Sequence, residues 1–404
     1  MRPSAAGASR RCLPIPDPRS SPASLDARRG YACGRTPRRC WDEGVVRGPS
    51  LQRGATTSGL DTQPELTRLE TGDARWLRLV ESHRDATPFH HPAWSRVVEE
   101  CYGFRPFVLG DLGADGSLVA GLPIIEVANP LRPRRWVSLP YVDSCAPLTL
   151  TGEWPRLAQG LAAARRRAGI RSVEVRASLP VEGVHTRSGW VRHVLALSGD
   201  VDAHLKALHG STRRNVRIAE REGVEIRTGD GESSLTDTFY TLHVETRRRL
   251  GVPVQPRRFF RLLWREMIER DLGFVLLAFH RDVPVAAAVF LSFNGRLVYK
   301  YGASAASGLH VRPNNLLFWH VIRWAVEHRC RTLDFGRTDL DQKGLRSFKA
   351  GWGATEEPLV YSFVSDDLPA VPVHHSSGLI APAIRHSPAW VTRLLGELLY
   401  RYAG

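Results

Sequence analysis

Lysine is scarce in this chain. The 404 residues hold 56 lysines and arginines, of which only Lys206, Lys300, Lys343 and Lys349 are lysine. Cationic positions default to arginine, whose planar fork is no substitute for a compact ammonium on a flexible stem. A lysine kept among so many arginines marks a place where that difference counts, and two of the four fall in one stretch, Leu333 to Ala354. Long apolar runs are also missing: nothing approaches the ~20 residues of a membrane-spanning helix. The six cysteines lack the short paired spacing of a zinc site, and a reduced, cytoplasmic protein is the expectation. There is no Walker A run, G-x-S-x-G elbow or H-E-x-x-H. The triplet Asp334-Phe335-Gly336 copies a kinase signature without its Gly-rich loop or strand lysine. The pairs His90-His91 and His374-His375 cannot both face one metal from neighbouring positions, so they read as surface histidines and no metal site is expected.

What is there is an ordinary globular composition, 43% hydrophobic and 24% charged, with a net charge of +15. Residues 1–60 carry 11 arginines against four acids in a Pro-, Ser- and Gly-rich stretch. Such a segment buries too little apolar area to order itself and lacks the apolar core of a secretory signal. It reads as a disordered basic tail or a mis-assigned start. The remaining positive charge suits an acidic ligand, namely phosphates, a nucleotide-linked sugar or tRNA, or else reflects a uniformly arginine-rich surface.

From Pro64 the pattern alternates helices and strands. Helices are expected at Ala74–Ser82, His91–Glu100 and Glu153–Ala168, and strands at Leu66–Glu70, Pro106–Leu112, Leu118–Val127, Trp136–Leu139, Ser172–Arg176 and Val191–Leu197. A second series comes after them. Its helices are Val201–Leu208, Ser211–Glu222, Leu235–Leu250, Pro256–Arg270, Pro313–His328 and Leu345–Gly351. Its strands are Val224–Arg227, Phe274–Phe279, Val283–Phe293, Leu297–Tyr301, Thr332–Phe335 and Leu359–Val364, with Asn294-Gly295 a strong hairpin signal. The repeated order points to two copies of one α/β module, at 61–200 and 201–366. Residues 367–404 read as a linker and a C-terminal amphipathic helix, Trp390 to Tyr402, better suited to docking than to anchoring in a membrane.

One ordered set of motifs is specific. Tyr299-Lys300-Tyr301-Gly302-Ala303-Ser304 is followed by Pro313-Asn314-Asn315 opening a helix, then Asp334-Phe335-Gly336-Arg337, Phe348-Lys349 and Trp352-Gly353. Upstream stands the basic helix Ser211-Thr212-Arg213-Arg214-Asn215-Val216-Arg217. The set, covering about Trp94 to Phe363, resembles the FemAB family of peptidyltransferases and the BioF2-like GNAT-type acyltransferases. The resemblance implies an α/β (α+β) fold of two tandem GNAT-like domains, each a mixed, largely antiparallel sheet flanked by helices. It implies an acyltransferase of cell-envelope synthesis that moves an aminoacyl or acyl group onto an amine of a peptidoglycan or polysaccharide precursor. No tightly bound cofactor is implied; the acyl donor is aminoacyl-tRNA, with acyl-CoA the alternative. The partners implied are aminoacyl-tRNA and a nucleotide- or lipid-linked precursor, with peripheral membrane contact.

Two departures shape those expectations. The turn Leu309 to Asn315 holds no glycine after Gly308, unlike the glycine-rich turn that cradles coenzyme A in GNAT enzymes. Residues 201–270 hold no long heptad pair, so the coiled-coil arm of some relatives is absent. The resemblance places Lys349 at the active site, where an ammonium can meet a phosphate or a developing oxyanion. Asp334 and Arg337 are expected to pair and shape the cleft floor or to act directly. The expected binding residues are Lys300 and Tyr301 on their strand, Asn314 and Asn315 at a helix N-terminus suited to an anion, the basic face of Arg213, Arg214 and Arg217, and Trp352. Each also has a plain reading: a snorkelling lysine, an ordinary helix cap or a solvated face. A binding protein with a degenerate site is the rival reading of another class.

Overall fold

The structure, a computed structural model, describes residues 64–129, 132–367, 380–388, 391–393, 396 and 400. The tail at 1–60, His374-His375 and most of the expected C-terminal helix lie outside the described residues. The first series of elements is β1 (Thr67–Leu69), α1 (Ala74–Ser82), α2 (Pro92–Tyr102), β2 (Pro106–Leu112), β3 (Leu118–Asn129), β4 (Arg132–Val137), β5 (Leu148–Thr149), α3 (Trp154–Arg167), β6 (Ser172–Val175) and β7 (His185–Ala196). The second is α4 (Val201–Ala207), α5 (Gly210–Arg221), β8 (Val224–Thr228), α6 (Tyr240–Leu250), α7 (Arg257–Glu266), β9 (Gly273–His280), β10 (Val283–Phe293), β11 (Arg296–Ser304), α8 (Pro313–Glu327), β12 (Thr332–Asp339), α9 (Lys343–Ala350) and β13 (Thr355–Val364). A short α10 (Ile380–His386) stands where a linker was expected, its Ala381 and Ile384 buried.

Local chemistry accounts for the element ends. Pro92 occupies the first turn of α2, the His91 side chain accepts from Ala93 N at 3.2 Å, and Gly103 closes the helix at φ 70°. His90 is not on the surface: it is 2% exposed, with Nε2 2.8 Å from the Ala146 carbonyl, because the loop after β4 folds over it. The hairpins on either side of β10 turn through Arg281-Asp282 and Asn294-Gly295, all four at positive φ, matching the right-handed twist of the strands. β10 shows why its sequence is continuously apolar: Ala286, Ala288 and Phe290 enter one core, and Ala287, Val289 and Leu291 the other. α8 starts on Pro313 and buries Leu317, Phe318, Val321 and Ile322 against this sheet.

The sheet order is β1-β2-β3-β4-β6-β13-β7-β12-β11-β10-β9-β8, with β5 on β3. The order is a near-palindrome. Each series contributes an antiparallel run ending in a parallel pair, β4/β6 and β11/β12, with Val137 opposite Glu174 and Val298 opposite Asp334. The last strand of each series then crosses over: β7 pairs with β12, β13 pairs with β6, and β7 and β13 pair with each other. One core joins Ile125, Val137 and Leu139 of the first series to Val275, Val289 and Val298 of the second. β7 begins at His185, well before the expected Val191, because Thr186, Arg187 and Ser188 pair with β13 rather than lying in a loop.

Candidate active site

β11 and β12 run parallel only as far as Val298 and Asp334. Beyond that point the two strands diverge, and the loop between β4 and β5 reaches into the opening. This loop carries Asp143, a residue for which the sequence offered no role. Its Oδ2 accepts from Arg337 N at 3.0 Å, and its main-chain oxygen accepts from the Tyr361 hydroxyl at 2.8 Å. A Cβ on residue 336 would stand 2.8 Å from Asp143 Oδ2, and Gly336 sits at φ 73°, so the turn needs glycine on both counts. The carboxylate is thus in hydrogen-bond contact with the main chain of the other half.

Burial raises the Asp143 carboxyl, but Lys300, Arg337 and Lys349 outweigh it and hold the group below its ordinary value. Asp334 behaves oppositely: burial drives its carboxyl up despite Arg192 and the Gly336 N–H, which donates to Oδ1 at 2.7 Å. The two carboxylates thus differ in proton affinity while lining one cavity of ≈ 60 Å³, with Gly336, Arg192, Val298 and Phe89. That space suits a small reacting group.

Lys349 is 3% exposed. It projects from α9 beneath the Asp334–Arg337 turn, where Nζ donates to Gly336 O at 2.8 Å and Arg337 O at 3.2 Å. Burial lowers it to about 8, partly offset by Asp143 and Asp334. Lys300 is likewise pushed down to about 8 by burial against the pull of Asp143. Its Nζ donates to Tyr141 O at 2.5 Å and lies 5.1–5.2 Å from the Phe89, Trp94 and Tyr301 rings. Asp143, Asp334, Lys300 and Lys349 are therefore one electrostatic group assembled from both halves.

The other expected residues separate. Arg337 does not pair with Asp334: its guanidinium lies 5.2 Å over Trp190, while Asp334 faces Arg192 at 3.9 Å. Backbone geometry explains this correction, since Gly336 turns the chain so that Arg337 offers its N–H, not its side chain, to the opening. Trp352, expected to bind substrate, is a core residue, 1% exposed and packed on Phe318 and Phe348. The apolar neighbours that surround it leave no face for a ligand. Tyr301 is half-buried against His243, Phe259 and Phe260. Asn314 and Asn315 sit in the first turn of α8. No side-chain hydrogen bond joins them to this group among the described residues. On α5, Arg214 and Arg217 are exposed, and Arg213 is half-buried with Nη2 3.3 Å from Leu208 O. The helix packs beside α9, the His209 N–H donating to Gly351 O at 2.9 Å. No cluster of ligands for a metal occurs among the described residues.

A mixed sheet flanked by helices, with a parallel pair that parts partway along, is the GNAT arrangement, and such a pair occurs in each series, β4/β6 and β11/β12. Comparison with known proteins agrees. Residues 208–349 match the family model for an acetyltransferase (GNAT) domain. The lipid II:glycine glycyltransferase of Staphylococcus aureus is 30% identical over 94 residues, 22% of this chain and 22% of that protein. The chain thus aligns with about a fifth of the length of the curated relatives it matches. The solved structure of FemX superposes with a TM-score of 0.60 at 15% identity, over 73% of this chain and 96% of that one. Residues 208–349 thus carry a GNAT acetyltransferase domain, and the similarity to the glycyltransferase and to FemX accords with the motif resemblance to the FemAB family.

Proposed function

We propose that this chain transfers an aminoacyl or acyl group to an amine of a cell-envelope precursor, drawing on aminoacyl-tRNA. The observation that carries the reading is Asp143, an ionised carboxylate buried between Lys300 and Lys349 and facing a small cavity. Acyl transfer to an amine needs a positioned carbonyl, a proton acceptor and a charge for the oxyanion. The amine nitrogen attacks the ester carbonyl and loses a proton to Asp143. The oxyanion develops near the positive charge of Lys349, whose grip on two carbonyls fixes the turn. Collapse breaks the ester C–O bond, and the proton passes to the departing hydroxyl. Asp334, Arg337 and Lys300 shape and charge the opening. Arg213, Arg214 and Arg217 offer a basic face for the tRNA backbone.

The name of the curated relative supports a lipid-linked acceptor. Such an acceptor would bring the chain to a membrane surface; no described helix is long and apolar enough to cross a membrane. The GNAT family match favours acyl-CoA as a second donor. Against it, the turn before α8 spends its amides internally, Gly308 N on Ala305 O and Arg312 N on Leu309 O, leaving few for a pyrophosphate. Incubation with labelled aminoacyl-tRNA or acetyl-CoA and candidate muropeptides, following acyl transfer, tests the reading. Transfer from the tRNA is expected. Transfer from acetyl-CoA alone reassigns the donor, and transfer from neither leaves a binding protein.

A further inference from the structure

Glu174 and Asp334 hold equivalent places in the two halves, each opposite a valine where a parallel pair ends. Their downstream neighbours differ. After Asp334 comes Phe335 and then Gly336, which leaves an opening. After Glu174 comes Val175 and then Arg176, whose side chain fills the corresponding place. Arg176 Nε donates to Glu174 Oε1 at 3.1 Å and Nη1 to Val142 O at 2.6 Å, while Arg135 holds Glu174 Oε2 at 2.7 Å. In the first half the equivalent register position is thus taken up by ion pairs of the protein itself.

The same residues hold the loop that carries Asp143. Arg176 N donates to Ser138 Oγ at 2.7 Å, Ser138 Oγ donates to Cys145 O at 3.0 Å, and Cys145 N donates to Arg176 O at 3.0 Å. Leu139 and Tyr141 sit at φ 58° and 66°. Non-glycine residues keep that conformation only where their surroundings impose it. We propose that Arg176 is a positioning residue: anchored on Glu174, it clamps the 139–145 loop through the Val142 carbonyl so that the Asp143 carboxylate meets Gly336 and Arg337. The first half thereby acts as the holder of a group used by the second. This rests on the reading of Asp143 as proton acceptor.

The test compares Arg176→Gln, Arg176→Lys and Tyr361→Phe, each alone and with Asp143→Asn, together with a 13C carboxyl titration of Asp143. Arg176→Gln is expected to lower kcat about tenfold or more while KM stays within about twofold, and to raise the Asp143 midpoint. In the Asp143→Asn background it should cost almost nothing further, because the two residues act through one group. Arg176→Lys should stay slow, since an ammonium cannot span Glu174 and Val142 together. Full recovery with lysine, or losses that simply multiply in the double variant, would overturn the clamp. If the Arg176 variants do not fold, Tyr361→Phe loosens the same loop from the other side, and an unchanged kcat and midpoint there would overturn it as well. The titration does not depend on activity. A midpoint shifted in a protein that transfers nothing sustains the clamp and removes the proposed function; an unshifted midpoint in Arg176→Gln removes the clamp alone.

Discussion

At the scale of single residues, the two buried lysines carry the strongest expectations. Lys349→Met leaves Gly336 O and Arg337 O without their donor, a loss of about 1–3 kcal/mol. Transfer should fall about 100-fold or more while the far-UV circular dichroism stays native; full activity in that variant would remove the role given to Lys349. Both lysines are pushed down to about 8. Their positive charges are present below that pH and fade as it rises, so kcat/KM should decline on a basic limb near pH 8. On the acid side, Asp143 is held below its ordinary value and so stays ionised to lower pH than a free aspartate. Asp143 should therefore add no acid limb at the usual aspartate pH, any such limb belonging to Asp334, which burial drives up, and Asp143→Asn should lower activity about 100-fold across the whole profile. Lys349 stood out in the sequence because arginine dominates everywhere else. Asp143 did not: a lone aspartate in a loop is ordinarily solvated, and its contacts with Arg337 and Tyr361 span 194 and 218 residues.

At the scale of elements, turns and periodicity were well marked. Asn294-Gly295, the apolar run of β10 and the proline starts of α2 and α8 act over a few residues, and each appears where local chemistry requires it. Elements whose existence depends on a distant partner were harder to see. The first residues of β7 are polar and form a strand only because β13 lies beside them, and Trp352 reads as a substrate-binding aromatic until Phe318 and Phe348 are seen around it. The turn at Gly336 is a sharp test of the geometry. Gly336→Ala adds a Cβ against Asp143 Oδ2 and requires a left-handed alanine, at about 1 kcal/mol or more. Activity should drop more than stability, as read by kcat and thermal denaturation side by side. α5 gives a second element-level test. Replacing exposed Arg214 and Arg217 by glutamine should raise KM for aminoacyl-tRNA and flatten its salt dependence, leaving the melting temperature unchanged.

At the scale of the whole molecule, the duplication was legible as a repeated order of elements, but the exchange of β7 and β13 was not. Nothing in the composition of either strand says which half it joins; the sheet order alone reveals it. With the last strands traded and one core shared, the halves should unfold in a single calorimetric transition. Fragments 61–200 and 201–366 made separately should be insoluble or unfolded, and two transitions or an independently folded fragment would contradict the exchange.

The exchange also dictates a timetable. Asp143 is synthesised early, yet the hydroxyl that steadies its main chain belongs to Tyr361, on the final strand of the sheet. A nascent chain still short of β13 possesses nearly every reactive side chain and no finished centre. Prematurely terminated products are consequently expected to be silent, competence coming only once the strand that knits both modules together has left the ribosome.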